Sequence, residues 1–284
     1  MDMVVIRYVK KFFVCCLTST FLSGLHAEAA GTVAPPFLLG ERLEYQVYYS
    51  FIHAGTATMY VDEQLHKFND HLCYKVQVKG TSSNALAVLG FKVLDMWESY
   101  LEADGSNLLR PHRCITHLQE NGYVRQEQID FDYISNQARV EVAEGNHNME
   151  PEVTYHPLSS VQNIKDLISG YYALRSIDCT KLKPGDKLTV TVLYDQQIYK
   201  DVGILFLGRK KIETKLGKTS ALVFAPLVPI EGSIFSGERP VEAYISDDAN
   251  KVPLKLKVNL AVGSVEIALT DCKGLKEQIH FQKP

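Results

Sequence analysis

The sequence has no marked excess of charge, no long apolar run after residue 30 and no familiar catalytic motif. Lysine and arginine number 30 against 33 aspartate and glutamate residues, a net charge of −3, which gives no support for attraction to nucleic acid or to an anionic membrane. No later run approaches the roughly 18 apolar residues of a transmembrane helix. The sequence also lacks C-x-x-C, H-E-x-x-H, G-x-S-x-G and a glycine-rich phosphate loop. No metal site, cofactor or catalytic residue is therefore predicted.

The N-terminal residues have the three parts of a secretory signal peptide. Basic residues at 7–11 precede a mostly apolar run at 12–25, and Ala-Glu-Ala at 27–29 fits a signal peptidase site. The apolar run is too short to cross a bilayer. A buried N-terminal helix is the alternative, but nothing caps it. We therefore predict a signal peptide over residues 1–30, a mature β-rich domain over 31–284, and export to the periplasm.

The cysteines suggest disulfides in an exported chain. Six are present, but two lie within the predicted signal peptide, where no small residues before Cys15 form a lipoprotein cleavage site. An even number of remaining cysteines favours bridges. The preferred pairing is Cys73–Cys114 and Cys179–Cys272, with the other connectivities and free buried thiols as alternatives. The second bridge would close a loop of about 90 residues and stabilise the fold by roughly 4 kcal/mol.

Apolar and polar residues alternate with period two through most of the chain, which predicts β-strands. Asn121-Gly122 is a strong signal for a tight hairpin turn. The polar stretch near 143–160 leaves open a division into two strand-rich halves. A single curved sheet is preferred, because a sheet of this many strands must curl or close. In the second half, strands are predicted near residues 187–194, 202–207, 210–215, 220–226, 241–246, 253–260 and 265–269.

One segment departs from this alternation. Apolar residues recur every three or four positions between Val161 and Arg175, which predicts an amphipathic helix with Ser159 or Ser160 as its N-cap. Asp166 and Arg175 approach its apolar side. A buried charge needs a partner, so an ion pair to the sheet is expected, and binding of an anionic ligand group by Arg175 is the functional alternative.

The aromatic residues are candidates for a ligand site, because an aromatic inner face of a curved sheet forms either core or the wall of a cavity. The candidate ligand-binding residues are Tyr45, Tyr49, Trp97 and Arg175. His66 and His71 are interpreted as loop histidines.

Carboxylates offer a different interpretation. A glycan hydrolase needs two carboxyl groups about 5–9.5 Å apart, and the candidates are Glu98, Asp130, Asp132, Asp247 and Asp248. The alternative is that Asp130 and Asp132 form a solvated strand face and that Asp247-Asp248 forms a turn.

Several sequence strings resemble domain-of-unknown-function family 3108. They are FLLGERLEY at 37–45, DMWESY at 95–100, DLISGYYALR at 166–175, SDD at 246–248 and GSV at 263–265. Together with their neighbours they extend from about Phe37 to Leu269. The resemblance implies an exported, β-rich envelope protein of Gram-negative bacteria and supplies no catalytic residues.

These observations predict a mainly β fold, with a strongly curved antiparallel sheet (a half-barrel or β-spiral) wrapped on one central amphipathic helix. The expected function is non-enzymatic binding of an apolar or lipidated ligand, or of an envelope protein, in the periplasm. An envelope-glycan hydrolase and a carbohydrate-binding module are the alternatives.

Overall fold

The computed structural model describes residues 35–88, 90–104, 108–146, 152–227 and 235–282. The predicted signal peptide, with Cys15 and Cys16, lies outside the described residues.

The described chain is mainly β, as the sequence predicts, with fourteen strands and two helices. The helices are α1 (Asn84–Val88) and α2 (Leu167–Arg175). The strands before α2 are β1 (Arg42–Tyr49), β2 (Ile52–Phe68), β3 (His71–Ser82), β4 (Val93–Glu102), β5 (Pro111–Glu120), β6 (Tyr123–Asp132), β7 (Gln137–Asn146) and β8 (Glu152–Ser159). The strands after it are β9 (Lys187–Tyr194), β10 (Gln197–Thr214), β11 (Gly217–Leu227), β12 (Val241–Ser246), β13 (Pro253–Asn259) and β14 (Ser264–Lys273).

All fourteen strands belong to one antiparallel sheet with the order β8-β7-β6-β5-β4-β3-β2-β1-β14-β13-β12-β11-β10-β9. Consecutive strands pair with each other except β8 and β9, and the pairing of β1 with β14 joins the first and last strands. The sheet is not closed, because β8 and β9 are its two edges. The segment that contains α2 connects these edges.

Local turn chemistry explains one hairpin and corrects one strand prediction. Asn121 and Gly122 have φ values of 48° and 92°, the positive values that a type I′ turn requires. The strands predicted at 202–207 and 210–215 are parts of one long strand, β10. Gly208, at φ 114°, lies where the pairing of β10 with β11 shifts register, so it bends the strand without ending it.

The register defines an inner and an outer face of the sheet. Leu43, Met59, Val78 and Trp97 lie opposite one another on β1 to β4, and all four are buried. We call the face that carries them the inner face. Because successive side chains alternate between faces, the same register assigns Thr116, Glu127 and Val142 of β5, β6 and β7 to it.

The sheet curves so that one edge packs against the strands near the other. Leu193 at the end of β9 belongs to a buried cluster with Cys114, Ile129 and Val140 from β5, β6 and β7. Arg125 of β6 also forms an ion pair with Asp195 in the β9–β10 turn, at 3.0 Å. These strands are far apart in the order of the sheet, so only strong curvature brings them together.

Helix α2 begins six residues later than the sequence predicts. Asp166 is its N-cap, and its carboxylate accepts hydrogen bonds from the amides of Ile168 and Ser169 at 2.7 and 2.9 Å. Ser160 precedes a segment that bonds to the sheet, in which Lys165 pairs with Val192 of β9. This backbone pairing keeps residues 161–165 out of the helix. Most of α2 is buried, including Ile168, Tyr171 and Tyr172 in the main hydrophobic cluster.

No helix among the described residues is long and apolar enough to cross a membrane.

Candidate functional site

A groove of about 600 Å³ runs along the inner face of β4, β5, β6 and β7. Its opposite side is formed by the start of α2 and by the β9–β10 turn, which the curvature of the sheet places over these strands. A volume of this size lies in the range of small-molecule sites. The lining side chains used below are Trp97, Leu118, Ile129, Leu167 and Leu193, which are apolar, and Glu120, Tyr123, Arg125, Glu127, Glu144, Asp166 and Asp195, which are polar.

The charged wall of the groove is organised around one arginine. Arg125 donates to Glu127 from Nη2 at 2.8 Å and pairs with Asp195 through Nη1 at 3.0 Å. Burial raises the pKa of Glu127, and the opposing charge of Arg125 only partly offsets this. Glu120, Glu144 and Asp166 also line the groove. Carboxylates therefore outnumber the one guanidinium among the lining residues, and the formal charge of the lining is negative.

The carboxylate of Asp166 is fully engaged where α2 begins. Besides the two amides of the cap, it accepts a hydrogen bond from the Ser99 hydroxyl at 2.6 Å and one from the Cys114 thiol at 2.9 Å. It thus joins α2 to β4 and β5 and fixes one end of the groove. Glu144 is held by the Tyr123 hydroxyl at 2.9 Å.

A second cavity lies beside α2, on the side of β9 to β13. It is lined by apolar side chains that include Leu188, Ile204, Leu222 and Phe224, and its volume is about 70 Å³. This is well below the roughly 300–1,000 Å³ of typical ligand pockets. The apolar side of α2 at this place is packed core rather than a chamber for an acyl chain.

The four residues predicted from the sequence to bind a ligand do not share one site. Trp97 lines the groove. Tyr45 is 5% exposed within the main cluster, and its hydroxyl has no hydrogen-bond partner among the described residues. Tyr49 donates its hydroxyl to the carbonyl of Val262 at 2.9 Å, at the β13–β14 turn.

Arg175 is occupied by a buried partner. Its side chain is 1% exposed, and its guanidinium binds both carboxylate oxygens of Glu41, which is also buried. Its Nε also donates to the carbonyl of Asn250 at 2.7 Å, and Nη2 donates to the carbonyl of Pro36 at 3.1 Å. The guanidinium therefore ties α2 to the chain before β1 and to the β12–β13 turn.

The five carboxylates considered for a hydrolase are not gathered into one cleft. Glu98 is among the residues that line the groove, and its carboxylate accepts a bond from Gln77 at 3.0 Å, whereas Asp130 lies on the outer face with Arg113. Asp247 and Asp248 follow β12, which is separated from β4 in the sheet by β3, β2, β1, β14 and β13. Each is held by a neighbour: Glu98 by Gln77, Asp130 by Arg113, Asp132 by Ser135, Asp247 by Arg209 and Asp248 by Ser246.

A family model for proteins of unknown function, DUF3108, matches residues 44–270. The chain belongs to the DUF3108 family. This confirms the resemblance inferred from its sequence strings. No curated protein matches this DUF3108 chain.

Solved structures similar to this DUF3108 protein share little sequence with it. A β-barrel-like protein of the domain of unknown function DUF1849 from Brucella abortus has 9% identity and a TM-score of 0.48, covering 86% of this chain and 99% of that one. The hypothetical protein CT021 from Chlamydia trachomatis has 10% identity and a TM-score of 0.32, covering 87% of this chain and 92% of its own.

The predicted disulfides are not formed in the DUF3108 structure, where Cys73, Cys114, Cys179 and Cys272 are free. Cys73 lies opposite Glu102, whereas Cys114 lies opposite Ser99. Two strand spacings of about 4.8 Å and an offset along β4 separate them, beyond the roughly 7 Å limit between bridged Cα atoms.

The second predicted bridge is prevented because Cys179 and Cys272 lie near strands that are not adjacent in the sheet. Cys179 follows α2 and packs with Phe206 of β10 and Leu222 of β11. Cys272 lies on β14 opposite Leu43 of β1. Strands β12 and β13 separate β11 from β14.

We expect four thiols per mature chain to react with a disulfide reagent in denaturant, and only slow reaction in the native protein at pH 8. Burial raises the pKa of all four thiols, that of Cys73 to about 12, so the reactive thiolate is scarce. Cys272 is the least buried, and Cys272→Ser should remove the fastest native phase. Absence of titratable thiols in unreduced, denatured protein would show that bridges form after all.

The polar residues of the groove are not among those predicted from the sequence. Arg125 and Glu127 follow the Asn-Gly turn on the same face of β6, and this spacing is the only local signal for them. Their partner Asp195 lies in the β9–β10 turn, and only the curvature of the sheet brings it near.

Proposed function

We propose that this DUF3108 protein is an exported, non-enzymatic binding protein of the periplasm, and that its groove holds an amphipathic ligand with a positively charged group. The observation that carries this proposal is that apolar side chains, such as Trp97 and Leu118, and several carboxylates line the same groove. Apolar area supplies affinity, and the negative wall selects the sign of charge. The proposed export rests on the signal peptide predicted from residues 1–30.

We also infer that the sheet wraps around α2 as a central helix. The burial of α2 within the same cluster as β1, β2 and β3 supports this interpretation. In this arrangement α2 occupies the interior, and the groove beside its N-terminus is a part of the inner face that stays open to a ligand.

A binding role is favoured over hydrolysis because the groove carboxylates already have partners. Asp166 caps α2, Glu127 and Asp195 bind Arg125, and Glu144 accepts a bond from Tyr123. A general acid or base must instead reach a proton of the substrate.

The fluorescence of Trp97 provides a direct test, because it is the only tryptophan of the chain. We expect monomeric dodecylammonium to change its emission saturably. We expect dodecanoate, which has a tail of similar length and the opposite charge, to bind at least about tenfold more weakly.

Two variants of β7 distinguish binding in the groove from nonspecific attraction to surface charge. Glu144→Gln should weaken dodecylammonium binding about two- to fivefold, since a partly exposed ion pair contributes about 0.2–1 kcal/mol. Glu141→Gln, on the outer face of the same strand, should leave it unchanged. Equal affinity for the two detergents, or equal effects of the two variants, would contradict a cation-selective groove.

A further inference from the structure

Three neighbouring strands bring His71, Glu102 and His112 together at one end of the sheet, away from the groove. His71 begins β3, Glu102 ends β4, and His112 is near the start of β5. One ligand atom from each lies within 4.8 Å of the others. Two imidazoles and one carboxylate form a donor set that zinc accepts.

An irregularity in the pairing of β4 with β5 turns His112 toward Glu102. Tyr100 lies opposite Arg113, but the next residue, Leu101, lies opposite Pro111. His112 is the extra residue of this bulge. Bulges redirect a side chain that regular alternation would place elsewhere, and here the result is a contact of 3.0 Å between His112 Nε2 and Glu102 Oε2.

The distances suit a small ion. Zinc bonds of about 2.0–2.2 Å in tetrahedral geometry place two ligand atoms about 3.3–3.6 Å apart. The observed separations are 3.0 Å between His112 and Glu102, and 3.9 Å between His71 Nδ1 and Glu102 Oε1. The two imidazole rings are stacked, with centroids 4.4 Å apart. To share an ion, the imidazole rings would rotate out of this stack so that one nitrogen of each faces Glu102.

Burial gives the cluster a closed side and an open side. The side chains of His112 and Glu102 are 4% and 6% exposed, whereas that of His71 is 43% exposed. Burial also lowers the pKa of His112, although the nearby Glu102 opposes this. An ion would enter past His71.

Arg110 holds the carboxylate in place. Its Nε and Nη2 bind Glu102 Oε2 at 3.0 and 2.9 Å, and its guanidinium lies 4.1 Å from the centre of the Tyr133 ring. Glu102 Oε1 is left directed toward His71. Ligating carboxylates are commonly oriented by such a second hydrogen bond. Mg²⁺ and Ca²⁺ prefer oxygen ligands, whereas imidazole suits zinc, so the two histidines favour zinc.

We propose that His71, Glu102 and His112 form a zinc site with a fourth position open to water on the side of His71. The other role for this cluster is structural, with Arg110 and Glu102 as a buried ion pair and the histidines stacked beside it. The two roles differ in what zinc does to the protein.

The test is a calorimetric titration of EDTA-dialysed mature protein with Zn²⁺, together with its melting temperature. We expect one ion per chain and a rise in melting temperature with zinc concentration, because an ion that binds only the folded state stabilises it. Mg²⁺ at the same concentration should produce neither effect.

Two variants locate the ion. His71→Ala alters a half-exposed side chain and should fold normally, yet bind zinc at least about tenfold more weakly. Glu102→Gln should also weaken binding. His53→Ala removes an exposed histidine at the opposite end of β2 and should leave zinc affinity unchanged. Absence of zinc binding, or binding that His71→Ala does not weaken, would overturn the proposal and leave the structural role.

Discussion

Replacing Arg175 with methionine is expected to lower the free energy of unfolding by about 3–5 kcal/mol, because it leaves a buried carboxylate without a partner. The side chains of Arg175 and Glu41 are 1% and 0% exposed. The variant also deprives the carbonyls of Asn250 and Pro36 of their donor. Native proteins typically have a total stability of about 5–15 kcal/mol, so the expected loss is a large fraction of it.

Urea unfolding of the variant, compared with a matched exposed arginine, checks this prediction. Arg42 binds Glu44 at 2.8 Å, but these side chains are 48% and 38% exposed. Arg42→Met should therefore change stability little, since exposed pairs contribute about 0–1 kcal/mol. The double variant Arg175→Met/Glu41→Leu should be more stable than Arg175→Met alone, because no isolated charge remains.

The outcome decides between the two roles considered for Arg175. If Arg175→Met unfolds no more easily than Arg42→Met, the buried pair contributes little to stability, and a role in binding an anionic ligand gains support. If it is strongly destabilised, Arg175 is a structural tie between α2, the chain before β1 and the β12–β13 turn.

Replacing Asp166 with alanine is expected to lower the free energy of unfolding by about 2–4 kcal/mol. Loss of the N-cap costs about 1 kcal/mol, and the buried Ser99 hydroxyl, left without its acceptor, costs about 1–3 kcal/mol more. The effect should be concentrated at the first turn of α2, where the amides of Ile168 and Ser169 lose their acceptor.

Urea unfolding and hydrogen exchange together test this prediction. The amides of Ile168 and Ser169 should exchange faster in Asp166→Ala than in the unmodified protein. Asp178→Ala removes an exposed aspartate that accepts from the amide of Thr180 at 2.9 Å, and it should have a much smaller effect on stability. Equal effects of the two aspartate variants would mean that Asp166 does not anchor α2 to the sheet.

The strands were predictable because their signals are local. Alternating side chains select a half-buried strand from a few residues, and Asn121-Gly122 selects a tight turn by its tolerance of positive φ. The end of α2 was predictable for the same reason. Its start was not, because pairing of Lys165 with Val192 competes with helix formation, and that pairing depends on a strand formed later in the sequence.

The residues that give the candidate sites their chemistry depend on distant partners. Arg125 meets Asp195 only because the sheet curves, and Arg175 meets Glu41 across 134 positions of sequence. A bulge in the pairing of β4 with β5 brings His112 to Glu102, and no local sequence pattern predicts this bulge. The cysteine count favoured bridges, but the register keeps Cys73 and Cys114 apart.

The sequence by itself determined the mainly β class, the family and the position of the amphipathic segment, because these follow from residue periodicity and short strings. The tertiary structure alone decided which charges are paired, where the inner face remains open and which histidines share a carboxylate. Those features depend on strand register and on the curvature of one long sheet, which bring together residues that are distant along the chain.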